Sequence, residues 1–160
     1  ANITRISKIP IREEFPNEEY DFTPWLEKNL HYIEEELHLE FTDDVLTEVP
    51  VGRYSCDVLA ETVDGKKVVI ENMFGKADHD HLGKMLTYAA GLNADMLIWI
   101  AEEFRDEEIE TIKWLNSISP EESPVFFAVQ IGLIKIGTSE SGLNIKTVVQ
   151  PDKWSKNVIK

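Results

Sequence analysis

The chain has 160 residues, 42% of them apolar, with 30 acidic against 16 basic side chains and a net charge of −14. That length supports one domain with a sizeable core, here residues 1–160, and is short for two. The charge excludes a non-specific nucleic-acid coat, which would be basic, but leaves room for a local basic cleft, and the lone Cys56 is expected in a reducing, cytoplasmic setting.

The N-terminal stretch Ala1–Pro10 alternates apolar and polar residues like a strand. No apolar run approaches the roughly 18 residues of a membrane span, so neither export nor membrane insertion is expected. Thr23 followed by Pro24 predicts an N-cap and first helical position, with a helix running to about Leu37 and burying Trp25, Leu26, Leu30, Ile33 and Leu37. After a turn near His38, Val45–Val49 reads as a strand ahead of Pro50 and Gly52.

The stretch Tyr54–Met73 contains two strand-like runs joined by Asp64-Gly65, the strongest hairpin signal in the chain. Each run carries one acid among apolar residues, Asp57 and Glu71, and buried acids are uncommon unless paired or bound to a cation. The turn decides whether they meet. A two-residue loop pairs Val63 with Lys66 and sets Asp57 opposite Asn72, with Glu71 on the other face. A three-residue loop with Gly65 in the left-handed region pairs Thr62 with Lys66, and sets Asp57 opposite Glu71 and Glu61 opposite Lys67. The second register is favoured, because Asp and Lys around one left-handed glycine suit a type I turn plus bulge. Asp57 paired with a buried Lys or Arg is the competing structural explanation.

A polar loop, Phe74–His81, precedes a helix through Leu82–Ala90 that is expected to stop at Gly91. Asp78, His79, Asp80 and His81 suit zinc or manganese by residue type, but they are adjacent and no further ligand cluster accompanies them, so capping and loop hydrogen bonds are favoured. Asp95–Ala101 is a continuous apolar run, the form of a strand buried on both faces. Arg105–Asn116 is expected as an amphipathic helix with Phe104, Ile109, Ile112, Trp114 and Leu115 supplying apolar contacts. Val125–Ile136 is a long strand or a bent pair, and the tail through Trp154 has weak strand character. The acid runs Glu34–Glu36, Glu102-Glu103 and Asp106–Glu108 read as solvated helix faces. The order strand, helix, three strands, helix, strand, helix, strand predicts a mixed α/β sheet flanked by helices.

This αβββαβ order resembles the PD-(D/E)XK nuclease superfamily, with its restriction-endonuclease-like core. Asp21-Phe-Thr-Pro-Trp-Leu, Val51–Asp57, Ile70-Glu71-Asn72, Asp78–Gly83 and Leu86–Gly91 are similar to segments of a largely uncharacterised prokaryotic family placed in it. The resemblance implies a metal-dependent nuclease-like domain acting on phosphodiester bonds, with Mg²⁺ or Mn²⁺ held by Asp57, Glu71 and the main-chain carbonyl of Asn72. Glu27 or Glu18 matches an additional acid of some members. Met73 stands where the superfamily usually has Lys, and a thioether neither orients nor activates water. RecB-type members carry Gln-x-x-x-Tyr on the next helix, where this chain has Lys84 and Tyr88, one turn apart on a shared face. Lys84 is read as a migrated replacement for the missing lysine, Lys76 as a weaker candidate, and His79 and His81 as substrate contacts. Nucleic acid is the expected partner, DNA ahead of RNA, with a homodimer as a further expectation. A catalytically inactive nuclease-fold module, binding nucleic acid or protein, is the alternative, and a small structural homo-oligomer is a third.

Overall fold

In the computed structural model, residues 1–119, 123–152 and 154 are described. Among the described residues seven strands form one sheet: β1 (Ile6–Ile9), β2 (Leu46–Val51), β3 (Tyr54–Glu61), β4 (Lys67–Asn72), β5 (Met96–Ala101), β6 (Val125–Ile136) and β7 (Gly142–Val149). Their order is β1-β6-β5-β4-β3-β2, with β7 also paired to β6. The β4–β5 and β5–β6 pairs are parallel and the others antiparallel. Helices α1 (Thr23–Lys28) and α2 (His31–Leu37) cover one face, and α3 (His79–Leu92) and α4 (Asp106–Ile118) the other. No helix among the described residues is long and apolar enough to cross a membrane.

The apolar run in β5 is buried at every position, as a central strand flanked by parallel partners requires. Beneath α1 and α2, Phe22, Leu26, Ile33 and Leu37 pack on Ile70 and Ile98; beneath α3 and α4, Met85 and Ile112 pack on Leu97 and Trp99. Each such side chain, taken fully out of water, contributes about 1.5–3 kcal/mol. These two layers fix the central strands, and with them the ends of β3 and β4.

Local chemistry departs from the predicted elements at four places. The first helix begins earlier, in a wide turn over Glu18–Phe22 capped by Asn17, whose side chain accepts from the Tyr20 N–H. It then breaks at Asn29, where the side chain donates to the Trp25 carbonyl at 2.7 Å and the backbone leaves helical angles. The third helix runs through Gly91 and stops at Asn93, which takes left-handed angles (φ 55°). Gly91 is there for space, since a Cβ would lie 2.6 Å from Val51 Cγ1. Trp114 is exposed rather than packed.

The acid runs are also less solvated than charge patterning implies. Glu34 accepts from the Phe41 N–H, Glu36 from the Thr147 N–H and hydroxyl, and Glu102 from the Gly75 N–H. Glu108 is buried. Glu34, Glu36 and Glu102 serve as acceptors for loop and strand donors that lack ladder partners, whereas Glu108 has a buried carboxylate oxygen with no hydrogen-bond partner.

Candidate acid-pair site

The hairpin adopts the three-residue loop. Gly65 has φ 90° and donates its N–H to the Thr62 carbonyl at 2.9 Å, while the Thr62 N–H reaches the Lys66 carbonyl at 2.9 Å. The ladder pairs Glu61 with Lys67 and continues to Val58 with Ile70. One step further, Asp57 faces Glu71, and there side chains take over from the ladder. The Asp57 N–H donates to Glu71 Oε2 at 3.3 Å, and the Asn72 N–H donates to Asp57 Oδ2 at 3.0 Å. Each carboxylate is therefore oriented by the opposing strand's backbone.

Glu71 is 4% exposed and Asp57 is half-buried. Burial raises the Asp57 carboxyl, against the lowering effect of the Asn72 N–H, and the Glu48 charge raises it further. Burial also raises Glu71, with the Asp57 charge next in weight. The same field reaches their neighbours. The Cys56 thiol is pushed up to about 12 by burial and then by Glu71 and Asp57, and the Tyr88 hydroxyl is raised for the same reasons in the same order.

The ion pairs among the described residues are His81–Asp78, Lys84–Asp80 and Lys113–Glu110, so no Lys, Arg or His neutralises either acid. That removes the explanation in which Asp57 is a buried half of a salt bridge. Two nearby like charges shielded from water favour a shared proton or a cation. A divalent cation suits the donor set, which is carboxylate oxygen with amide oxygen beside it. The Asn72 side chain is turned toward α1, its amide donating to Thr23 Oγ1 at 3.3 Å, which leaves the main-chain carbonyl as its candidate ligand atom. Among the described residues no group of three or more His, Cys, Asp or Glu is placed to hold a metal, so the acids stand as a pair.

The remaining sequence candidates divide. Glu18 accepts from the Phe74 N–H, and its charge raises Asp57. Glu27 instead lines a separate cavity with Lys28, Leu30 and Phe41. Met73 is 6% exposed and packs in the core beneath α3, its N–H bonded to the Ile100 carbonyl. Lys84 points to Asp80 at 3.1 Å, and its pKa is raised chiefly by that bond, with Glu71 contributing through space. Tyr88 is buried on the same helix and meets Tyr54 edge-on at 6.5 Å. Asp78 caps α3, accepting from the His81 N–H at 2.8 Å and lying 2.9 Å from His81 Nδ1, so this segment follows the capping reading. His79 and Lys76 are exposed, and Lys76 bridges to Glu103 through the backbone.

Glu48 was not singled out in the sequence. The β2–β3 register pairs Thr47 with Val58 and Val49 with Cys56 on either side of it, so Glu48 stands opposite Asp57. It has φ 50°, a left-handed angle that strains a non-glycine residue inside a strand. Its charge bears on Asp57, Glu71, Cys56 and Tyr88, and its own carboxyl is raised by burial and then by Glu19. The signal lay in Gly52-Arg53: a two-residue loop there pairs Val51 with Tyr54 and carries Glu48 to Asp57.

A helix, a three-stranded meander, a helix and a strand, with an acid on each strand of the second hairpin, form a restriction-endonuclease-like fold. Among solved structures the chain is similar to a repair endonuclease from Pyrococcus abyssi, with a TM-score of 0.52 and 22% identity over 61% of this chain and 43% of that one. The chain thus spans less than half of that nuclease. Weaker likenesses are to EndoMS in a dsDNA complex (TM-score 0.44, 17% identity, 64% of this chain and 42% of that one) and to Pyrococcus furiosus SfsA in complex with Ca²⁺ (0.39, 16%, 82% and 61%). No protein-family model and no curated protein sequence matches the chain.

Proposed function

We propose that this chain is a divalent-cation-dependent nuclease domain of residues 1–160, hydrolysing phosphodiester bonds in nucleic acid, with Asp57, Glu71 and the Asn72 carbonyl as ligands for Mg²⁺ or Mn²⁺. The observation that carries the reading is the opposed, largely buried acid pair with no cationic partner among the described residues, on a nuclease-like fold. A bound ion supplies a water of lowered pKa and neutralises charge at the scissile phosphate. The protein's part is to hold its ligands still. The Asn72 N–H fixes Asp57, and the Asp57 N–H fixes Glu71.

Tyr88, a protonated phenol on α3, is the candidate hydrogen-bond donor for a phosphate oxygen. Lys84 is the candidate for steadying the water or phosphate. Its pair with Asp80 is reached by solvent, Lys84 being half-buried and Asp80 exposed, and is therefore weak enough for the side chain to exchange partners. His79, His81 and Lys76, at the start of α3 and in the loop before it, serve as substrate contacts, and Glu18 as the additional acid. DNA is the first substrate to test, a homodimer is compatible with the reading, and Cys56, buried as a thiol, suits the cytoplasm.

The test is hydrolysis of labelled DNA and RNA with Mg²⁺ or Mn²⁺. Cleavage by the parent, lost in Asp57→Asn, supports the reading; identical cleavage by parent and variant refutes it. One observation favours a second reading, an inactive nuclease-fold module that binds nucleic acid or protein: Met73 occupies the lysine position as a packed core residue. That reading predicts no cleavage under any divalent ion.

A further inference from the structure

Although acids outnumber bases nearly two to one, two arginines near the strand ends that carry the acid pair form no ion pair among the described residues. Arg12 lies with its guanidinium 4.8 Å from the centre of the Phe74 ring, and its Nη1 reaches the Pro16 carbonyl at 3.4 Å. Arg53 lies 5.4 Å from the centre of the Tyr54 ring. Both are exposed. The rings they rest on sit at the ends of the acid-bearing strands, Tyr54 opening β3 with Asp57 and Phe74 following β4 with Glu71. The Phe74 N–H holds Glu18, whose charge acts on Asp57, and Tyr54 meets Tyr88, whose hydroxyl feels Glu71 and Asp57.

Phe74 belongs to the core beneath α1 and α2, and Tyr88 to the core beneath α3 and α4. The ring contacts of the two arginines therefore lead to opposite faces of the sheet, at the end where β3 and β4 carry the acids. Each guanidinium uses its flat face on an aromatic ring, which leaves N–H edges for a bidentate oxyanion and limits the side-chain freedom lost on binding.

We propose that Arg12 and Arg53 are phosphate clamps for a nucleic-acid strand laid across the strand ends, one on each side of Asp57 and Glu71. A polyanion with regularly repeated charges reaches both clamps at once, whereas a mononucleotide or a phosphomonoester reaches one. The clamps deepen the nuclease reading by specifying a strand rather than a small phosphate ester, and their test is separable from it.

The experiment is fluorescence anisotropy of a labelled single-stranded oligonucleotide of about 20 nucleotides, long enough to meet both clamps, titrated with the full chain in calcium-containing buffer over a range of salt. The result expected is that Arg12→Ala and Arg53→Ala each weaken binding several-fold and reduce the slope of log K against log salt by about 0.7 per lost contact. Arg→Lys at either position restores the slope but not the full affinity, because the charge returns without the stacked fork. Calorimetric Mn²⁺ affinity stays at the parent value in all variants. Parental slope and affinity in both alanine variants, or no oligonucleotide binding by the parent at low salt, overturns the clamps. A parent that binds the strand with Arg-dependent slope but binds no Mn²⁺ keeps the clamps and overturns the metal-dependent nuclease reading.

Discussion

Replacing Glu71 by Gln removes one of two raised carboxyls while keeping an oxygen that accepts the Asp57 N–H. At intermediate pH the folded chain holds protons that the unfolded chain has already released, since both acids stand above their ordinary values of 3.8 and 4.5. The stability tied to those protons is complete below the ordinary values and is lost as pH rises through the raised ones. Where one extra proton is held, unfolding free energy falls by about 1.4 kcal/mol per pH unit. From roughly pH 5.5 to 7 the loss is ~2 kcal/mol, or about 4–8 °C in Tm for a chain of this size. Thermal melts of parent and Glu71→Gln across that range should diverge by this amount, the variant being the more stable at pH 7. The comparison cancels other titrating groups, such as Asp78, whose lowered carboxyl acts in the opposite sense. Parallel melting curves for the two proteins would refute the argument.

Glu48→Gly relieves a left-handed residue inside β2 and removes a charge facing the acid pair, so calorimetry should show a gain of about 0.5–1 kcal/mol at pH 7. Gly91→Ala brings a methyl group to within 2.6 Å of Val51 Cγ1 and should cost about 1–3 kcal/mol in denaturant unfolding. Lys84→Ala should leave Mn²⁺ binding intact and slow cleavage by about 10²-fold or more, as loss of a general acid–base or water-positioning group does. A variant cleaving at the parental rate would show that Lys84 does not replace the lysine missing at Met73.

The parts of this fold legible in the sequence are those set by local rules. Asp64-Gly65 located the hairpin and narrowed its register to two loop lengths, of which the favoured three-residue loop is the one adopted, and that register brings Asp57 to Glu71. The apolar run of β5 announced a buried central strand. What escaped depends on contacts distant in sequence or on competition between side chains. Asn29 looks like a helix flank until its amide takes the Trp25 carbonyl. Gly91 looks like a helix stop until Val51 is seen to occupy its missing Cβ. Glu18 and Glu27 were equivalent as acids near the first helix, and the Phe74 N–H separates them. Glu48 needed two hairpin registers extended together, one from Gly52-Arg53 and one from Asp64-Gly65, before its register position opposite Asp57 could be seen.

The most direct measurement is a calorimetric Mn²⁺ titration of the parent and Asp57→Asn at pH 7, repeated in two buffers that differ in ionisation enthalpy. Because the acids are raised, ligation must expel protons from the pair. The parent should bind Mn²⁺ with proton release, seen as a buffer-dependent heat, and Asp57→Asn should not bind. No binding by the parent, or equal binding by both proteins, would contradict the assignment of Asp57 and Glu71 as cation ligands.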